Sequence, residues 1–171
     1  IDNSPIAIGT VPIYEAVIKT VEKHGKIMKL TADDLFETIE EHGKQGVDFV
    51  TVHSGLTRKA IDRLTSQGRV LDVVSRGGSF LLEWMIYNDK ENPLFEQYDR
   101  LIGISKKYDM TLSLGDGLRP GCLEDATDRA QLEELLTLGE LRDTAVDAGV
   151  QVIIEGPGHV PLNQVELNIK I

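Results

Sequence analysis

Met110-Thr111-Leu112-Ser113-Leu114-Gly115-Asp116-Gly117-Leu118-Arg119-Pro120 is the stretch on which the reading of this chain turns. Its first five residues form a short strand-like run, and the rest is a glycine-rich turn carrying one carboxylate and one guanidinium. Three other runs repeat the arrangement. Val47-Asp48-Phe49-Val50-Thr51-Val52 ends on His53-Ser54-Gly55, and Val70-Leu71-Asp72-Val73-Val74 ends on Ser75-Arg76-Gly77-Gly78. Val150-Gln151-Val152-Ile153-Ile154 ends on Glu155-Gly156-Pro157-Gly158-His159. Helical patterns separate these runs, which is the signature of βα units and a parallel sheet.

The helices are marked by their caps and spacing. Pro12 to Lys23 places Tyr14, Val17, Ile18 and Val21 on one side. Thr31 and Asp34 make an N-terminal capping pattern, and Leu35, Ile39 and His42 continue one face until Gly43 and Gly46 end it. Further helices are predicted from Thr57 to about Thr65, from Ser79 to about Asn88, and from Pro93 through Ile104. The longest runs from Asp128 to Ala148, with a stripe of Leu135, Leu138, Leu141 and Ala145 and with Gly139 as the expected break. Glu133-Glu134 and Lys106-Lys107 read as solvated helix faces, and Trp84-Met85 as packing. His24 and His42 attract no functional role. Ile6-Ala7-Ile8 is a candidate fifth strand. Four to five βα units fall short of the eight in a closed barrel, which typically takes about 250 residues, so the pattern suits either a small open α/β sheet or part of a larger barrel.

Composition narrows the function classes. The 171 residues carry 18 Lys plus Arg against 28 Asp plus Glu, a formal charge of -10, and no basic patch. Such a surface repels nucleic acid and anionic lipid. The charge-free stretch from Asn3 to Tyr14 is too short to span a bilayer, and no signal-peptide pattern is visible. The single cysteine, Cys122, can neither pair within the chain nor hold zinc or an iron-sulfur cluster by itself. A reducing cytoplasm is the expected compartment.

In parallel α/β folds ligands bind beyond the carboxyl ends of the strands, where loops converge and helix N-termini offer free N–H groups. The four polar clusters should therefore face one site. Taken singly, each has a structural alternative. His53 can be a satisfied polar residue at a strand end, and Arg76 can cap a turn, although Gly77-Gly78 would let backbone N–H groups approach an anion. Arg119 can form a local ion pair with Asp116, or the two can serve a pocket for a sugar or phosphate. Glu155 stands on rigid scaffold as a general base or substrate anchor. His159 alone cannot build a metal site.

Several longer motifs carry a resemblance to a known family. Asn3-Ser4-Pro5, Gly9-Thr10-Val11-Pro12-Ile13-Tyr14, Gly46-Val47-Asp48 leading to His53, and Val74 through Ser79 occur in order. They are followed by Ser113 through Gly121 and Ile154 through Pro161. Together they resemble the phosphomethylpyrimidine synthase family over essentially the whole chain. That family comprises radical S-adenosylmethionine enzymes on a (β/α)8 TIM-like barrel. They rearrange 5-aminoimidazole ribotide into 4-amino-5-hydroxymethyl-2-methylpyrimidine phosphate in thiamine biosynthesis. The resemblance implies substrate contacts at Tyr14, His53, Ser75, Arg76, Gly77, Asp116, Gly117, Leu118, Arg119 and Glu155, and a zinc-type metal ligand at His159. It also implies a [4Fe-4S] cluster, S-adenosylmethionine and a homodimer of the intact enzyme.

The family's cluster cysteines, a second metal histidine and another substrate tyrosine belong downstream of Ile171 in this alignment of motifs, and an asparagine and a methionine upstream of Ile1. Residues 1–171 are therefore expected to be a central segment of the barrel, carrying most of the ribotide-binding face and inactive alone. The related hydroxybenzimidazole synthase of anaerobic cobalamin synthesis shares much of the pattern, and a noncatalytic ribotide- or phosphate-binding module is the reading outside the enzyme class.

Overall fold

The computed structural model describes residues 4–171; Asn3, from the first motif, lies outside the described residues. Among the described residues, four parallel strands form one sheet in the order β1 (Gly9–Thr10), β2 (Phe49–Val52), β3 (Thr111–Leu114), β4 (Val152–Ile154). Helices α1 (Pro12–His24) and α2 (Ala32–Lys44) lie between β1 and β2, and α3 (Arg58–Gln67), α4 (Arg76–Asn88), α5 (Pro93–Glu96) and α6 (Tyr98–Tyr108) between β2 and β3. Then α7 (Arg129–Asp147) precedes β4, and α8 (Leu162–Lys170) follows it. No helix among the described residues is long and apolar enough to cross a membrane.

The register pairs Val50 with Leu112, Thr51 with Ser113 and Val52 with Leu114. Because strand side chains alternate, one face of the sheet carries Val50, Val52, Leu112 and Leu114, each no more than 2% exposed beneath the helices. The other face carries Thr51, Ser113 and Ile153, the last 51% exposed. Thr31 and Asp34 form the expected capping box at the start of α2, and Trp84 packs in the core with its indole N–H donating to the Leu30 carbonyl at 2.7 Å.

Five expectations are corrected. Val70–Val74 is not a strand: β2 pairs directly with β3, and the Val70 and Leu71 N–H groups donate to the Asp125 carboxylate at 2.8 and 2.9 Å instead of to a neighbouring strand. The first strand is Gly9–Thr10, with Ile6 left 76% exposed. Gly139 does not break α7, which has 19 residues; one glycine costs about 1 kcal/mol, too little to interrupt a packed helix. The helix opened by Pro93 is two helices parted at Gln97, and α4 starts three residues earlier than predicted, at Arg76. Helix α8 had no counterpart in the sequence reading.

Candidate functional site

The carboxyl end of the sheet is where the strand-end clusters meet. His53 leaves β2 and is buried, with Nε2 at 3.2 Å from the Ser75 hydroxyl. Ser75 caps α4, its Oγ accepting from the Gly78 N–H at 3.2 Å, and so brings the Ser75-Arg76-Gly77-Gly78 turn onto the His53 ring. A Cβ on Gly77 would stand 2.4 Å from His53 Cε1, and one on Gly78 would stand 2.5 Å from the Gly117 carbonyl oxygen. These two glycines let the first turn of α4 close on the loops after β2 and β3. The Gly78 N–H, expected to approach an anion, is committed to the Ser75 cap.

After β3, Asp116 turns back on Arg119, Oδ1 to Nη1 3.2 Å, as the local ion pair predicted. Its Oδ2 is buried and has no hydrogen-bond partner among the described residues; the same is true of His53 Nδ1. After β4, Glu155 bridges the strand ends: its Oε1 accepts from the Ser113 hydroxyl at 3.0 Å and the Thr51 hydroxyl at 3.4 Å. Tyr14, in the first turn of α1, stands edge-on to Phe80, and the Arg76 guanidinium lies 5.8 Å from its ring centroid.

Burial dominates the protonation states. It holds the His53 imidazole down at about 4, helped by the nearby Arg119 charge, so the ring is neutral at pH 7. Burial pushes the Asp116 carboxyl up to about 6, against the pull of Arg119 and with Glu155 adding to the rise. The site thus combines a neutral imidazole, a carboxyl that exchanges its proton near neutrality, a guanidinium and a second carboxylate. It can hydrogen-bond hydroxyls or amines and pair with an anion.

Two predicted residues serve from behind. Leu118 has its side chain fully buried, its N–H on Glu134 and its carbonyl on Arg69. The Gly117 N–H is likewise taken by Glu134, at 2.8 Å. His159 is exposed, and among the described residues no three His, Cys, Asp or Glu side chains converge as a metal site would need. Cys122, the only thiol, points to Asp125 Oδ2 at 3.4 Å. Neither an iron-sulfur cluster nor a complete zinc site is built from the described side chains.

The sequence reading missed the groups that hold these loops. Glu134 is not solvated but 2% exposed, because it lies on the same face of α7 as Ala130, Thr137, Leu138 and Leu141. That spacing is visible in the sequence. Arg69 is buried against Asp128 through two bonds, Nε to Oδ2 at 2.6 Å and Nη2 to Oδ1 at 2.8 Å. Asn92, fully buried, donates to the carbonyls of His53 at 2.8 Å and Leu56 at 2.9 Å and accepts from the Leu94 N–H at 3.0 Å. Pro93 reads as a helix start, but the reach of Asn92 to β2 does not show in sequence.

The chain is 63% identical over 169 residues to a phosphomethylpyrimidine synthase of Thermodesulfovibrio yellowstonii, covering 99% of the chain and 40% of that relative. It is 60% identical over 169 residues to the protein so named from Moorella thermoacetica, covering 99% of the chain and 39% of the relative. With that of a Thermoanaerobacter species it shares 58% over 171 residues, 100% of the chain and 40% of the relative. The chain thus spans about two fifths of the length of these curated relatives. The model of the Radical SAM ThiC family matches residues 1–171, the strand-end clusters included, and on that match and these identities the chain belongs to that family.

Proposed function

We propose that this chain supplies most of the substrate-binding face of a phosphomethylpyrimidine synthase, which converts 5-aminoimidazole ribotide into the phosphorylated thiamine pyrimidine. The strongest support is a pair of buried polar atoms without partners among the described residues, Asp116 Oδ2 and His53 Nδ1, at the carboxyl ends of β3 and β2. Buried polar groups are nearly always satisfied, and a bound ligand would satisfy these. A ribotide offers hydroxyls and an amine to Asp116, Glu155 and His53, and a phosphate to Arg119, Arg76 and the amino end of α4. Tyr14 and Ser75 border the same space through Arg76 and His53.

In this reading the four parallel strands, with helices over one face, are βα units of a (β/α)8 barrel, and Thr51 and Ser113 line its interior. S-adenosylmethionine, a [4Fe-4S] cluster and a zinc ion at His159 belong to the complete enzyme, a cytoplasmic homodimer; His159 would be this chain's single contribution to the metal. The residues here bind and orient the ribotide and hold protons at Asp116 and Glu155. All the curated relatives compared carry the thiamine enzyme's name, which favours the pyrimidine product over hydroxybenzimidazole.

Calorimetry with 5-aminoimidazole ribotide tests the binding face in the intact protein. Arg119→Ala should weaken binding roughly tenfold to hundredfold, the loss of charge-assisted hydrogen bonds worth about 1.5–3 kcal/mol. An unchanged affinity would remove Arg119 from the site. Turnover with S-adenosylmethionine and a reductant, followed by product analysis, should yield the pyrimidine phosphate; a benzimidazole product or none would refute the assignment.

A further inference from the structure

Behind the Asp116 to Arg119 turn lies a carboxylate that touches none of the groups facing the proposed ligand. Glu134 sits in the second turn of α7, 2% exposed, and each of its oxygens accepts one backbone N–H: Oε1 from Gly117 at 2.8 Å and Oε2 from Leu118 at 2.7 Å. In the next peptide group, the Leu118 carbonyl accepts from Arg69 Nη2 at 2.6 Å, and Arg69 is fixed by Asp128, the N-cap of α7. Three successive peptide groups, from Asp116 to Arg119, are thus gripped by Glu134 of α7 and by the Arg69 that its N-cap holds. Asp116 stands at one end of them and Arg119 at the other.

A carboxylate is the side chain suited to this position. It presents two acceptors side by side, whereas glutamine presents one acceptor and an NH2 that would face one of the two N–H donors. Burying an ionisable group at 2% exposure is costly. Burial and the nearby Asp116 charge push this carboxyl up, while the Leu118 and Gly117 N–H groups, one on each oxygen, favour the ionised form.

We propose that Glu134 is a positioning residue, which sets where the Asp116 carboxyl and the Arg119 guanidinium stand against the substrate. The proposal rests on the reading of Asp116 and Arg119 as ribotide contacts. It adds a residue outside the contact set, acting through the backbone.

The test uses the intact protein and three variants: Glu134→Gln, Glu134→Asp and, as a control, Glu133→Gln, whose parent carboxylate pairs with Lys59 and Arg63 on the adjacent face of α7. Circular dichroism establishes which variants are folded, and the shorter, still charged aspartate provides a second variant if glutamine disturbs folding. Calorimetry should show ribotide affinity falling about tenfold, or about 1.4 kcal/mol, in Glu134→Gln, by less in Glu134→Asp, and not at all in Glu133→Gln.

The pH profile of binding separates positioning from general stabilisation. Released from burial, Asp116 should titrate nearer the ordinary carboxylate range than about 6, even though Arg119, Glu155 and His53 still face it. Affinity that responds to Arg119→Ala but not to Glu134→Gln, with an unmoved pH profile, overturns the positioning role alone. Affinity that responds to neither overturns the site reading and the positioning role with it.

Discussion

The Cα of Gly78 lies against the carbonyl oxygen of Gly117, so close that a Cβ on Gly78 would stand 2.5 Å from that oxygen. The first turn of α4 and the loop after β3 are in backbone contact, and no side chain fits between them. Gly78→Ala should therefore cost about 1–3 kcal/mol of stability by overpacking and weaken ribotide binding by parting the loops. Gly103→Ala, in α6 where an added Cβ meets nothing within 4 Å, should instead stabilise by about 0.5–1 kcal/mol. Thermal denaturation checks both; shifts of the same sign would contradict the packing described.

Removing one partner of a buried ion pair strands the other. Asp128→Ala should cost about 3–5 kcal/mol, because the fully buried Arg69 guanidinium loses its carboxylate and α7 its cap. Asp128→Asn, which keeps a capping oxygen but not the charge, should fall between that variant and the wild type. Urea midpoints give the order, and equal midpoints for the two variants would show that the charge contributes nothing.

The pH dependence of stability separates His53 from Asp116. Asp116 titrates at about 6 when folded against 3.8 ordinarily, so its contribution is complete below about 3.8 and lost as pH rises through about 6. His53 titrates at about 4 when folded against 6.5, so its contribution is complete above about 6.5 and lost as pH falls through about 4. The two slopes oppose each other over one window. Relative to wild type, stability should decline with rising pH in His53→Asn and climb in Asp116→Asn, each by at most about 1.4 kcal/mol per pH unit. Urea titrations across that window measure it; parallel slopes in the two variants would refute the assignment.

Asn92→Ala should orphan the buried carbonyls of His53 and Leu56 and the Leu94 N–H, at about 1–3 kcal/mol for each group that water does not reach. Because the His53 carbonyl is among them, the variant should also lose ribotide affinity. A drop in melting temperature with full affinity would place Asn92 in the scaffold alone.

The parts of this architecture written locally were readable in advance. The run at 111–114 and its turn, the Thr31 and Asp34 cap and the Asp116 to Arg119 pair each depend on residues a few positions apart. What depended on distant partners was misread. Val70 and Leu71 have strand-like side chains, yet their N–H groups go to Asp125, and nothing within the run announces that carboxylate. Glu134 beside Glu133 looks like solvent-facing charge; only the helical phase of α7 separates the buried one from the exposed one.

The alternation along β3 gives adjacent residues unlike duties: Leu112 and Leu114 fill the core, while Ser113 between them holds Glu155. Deleting a single residue from this strand would carry two leucines onto the hydrophilic side and a serine into the oil. Evolution can vary the volume of one side and the chemistry of the other, but it cannot change the strand's length by one without losing both.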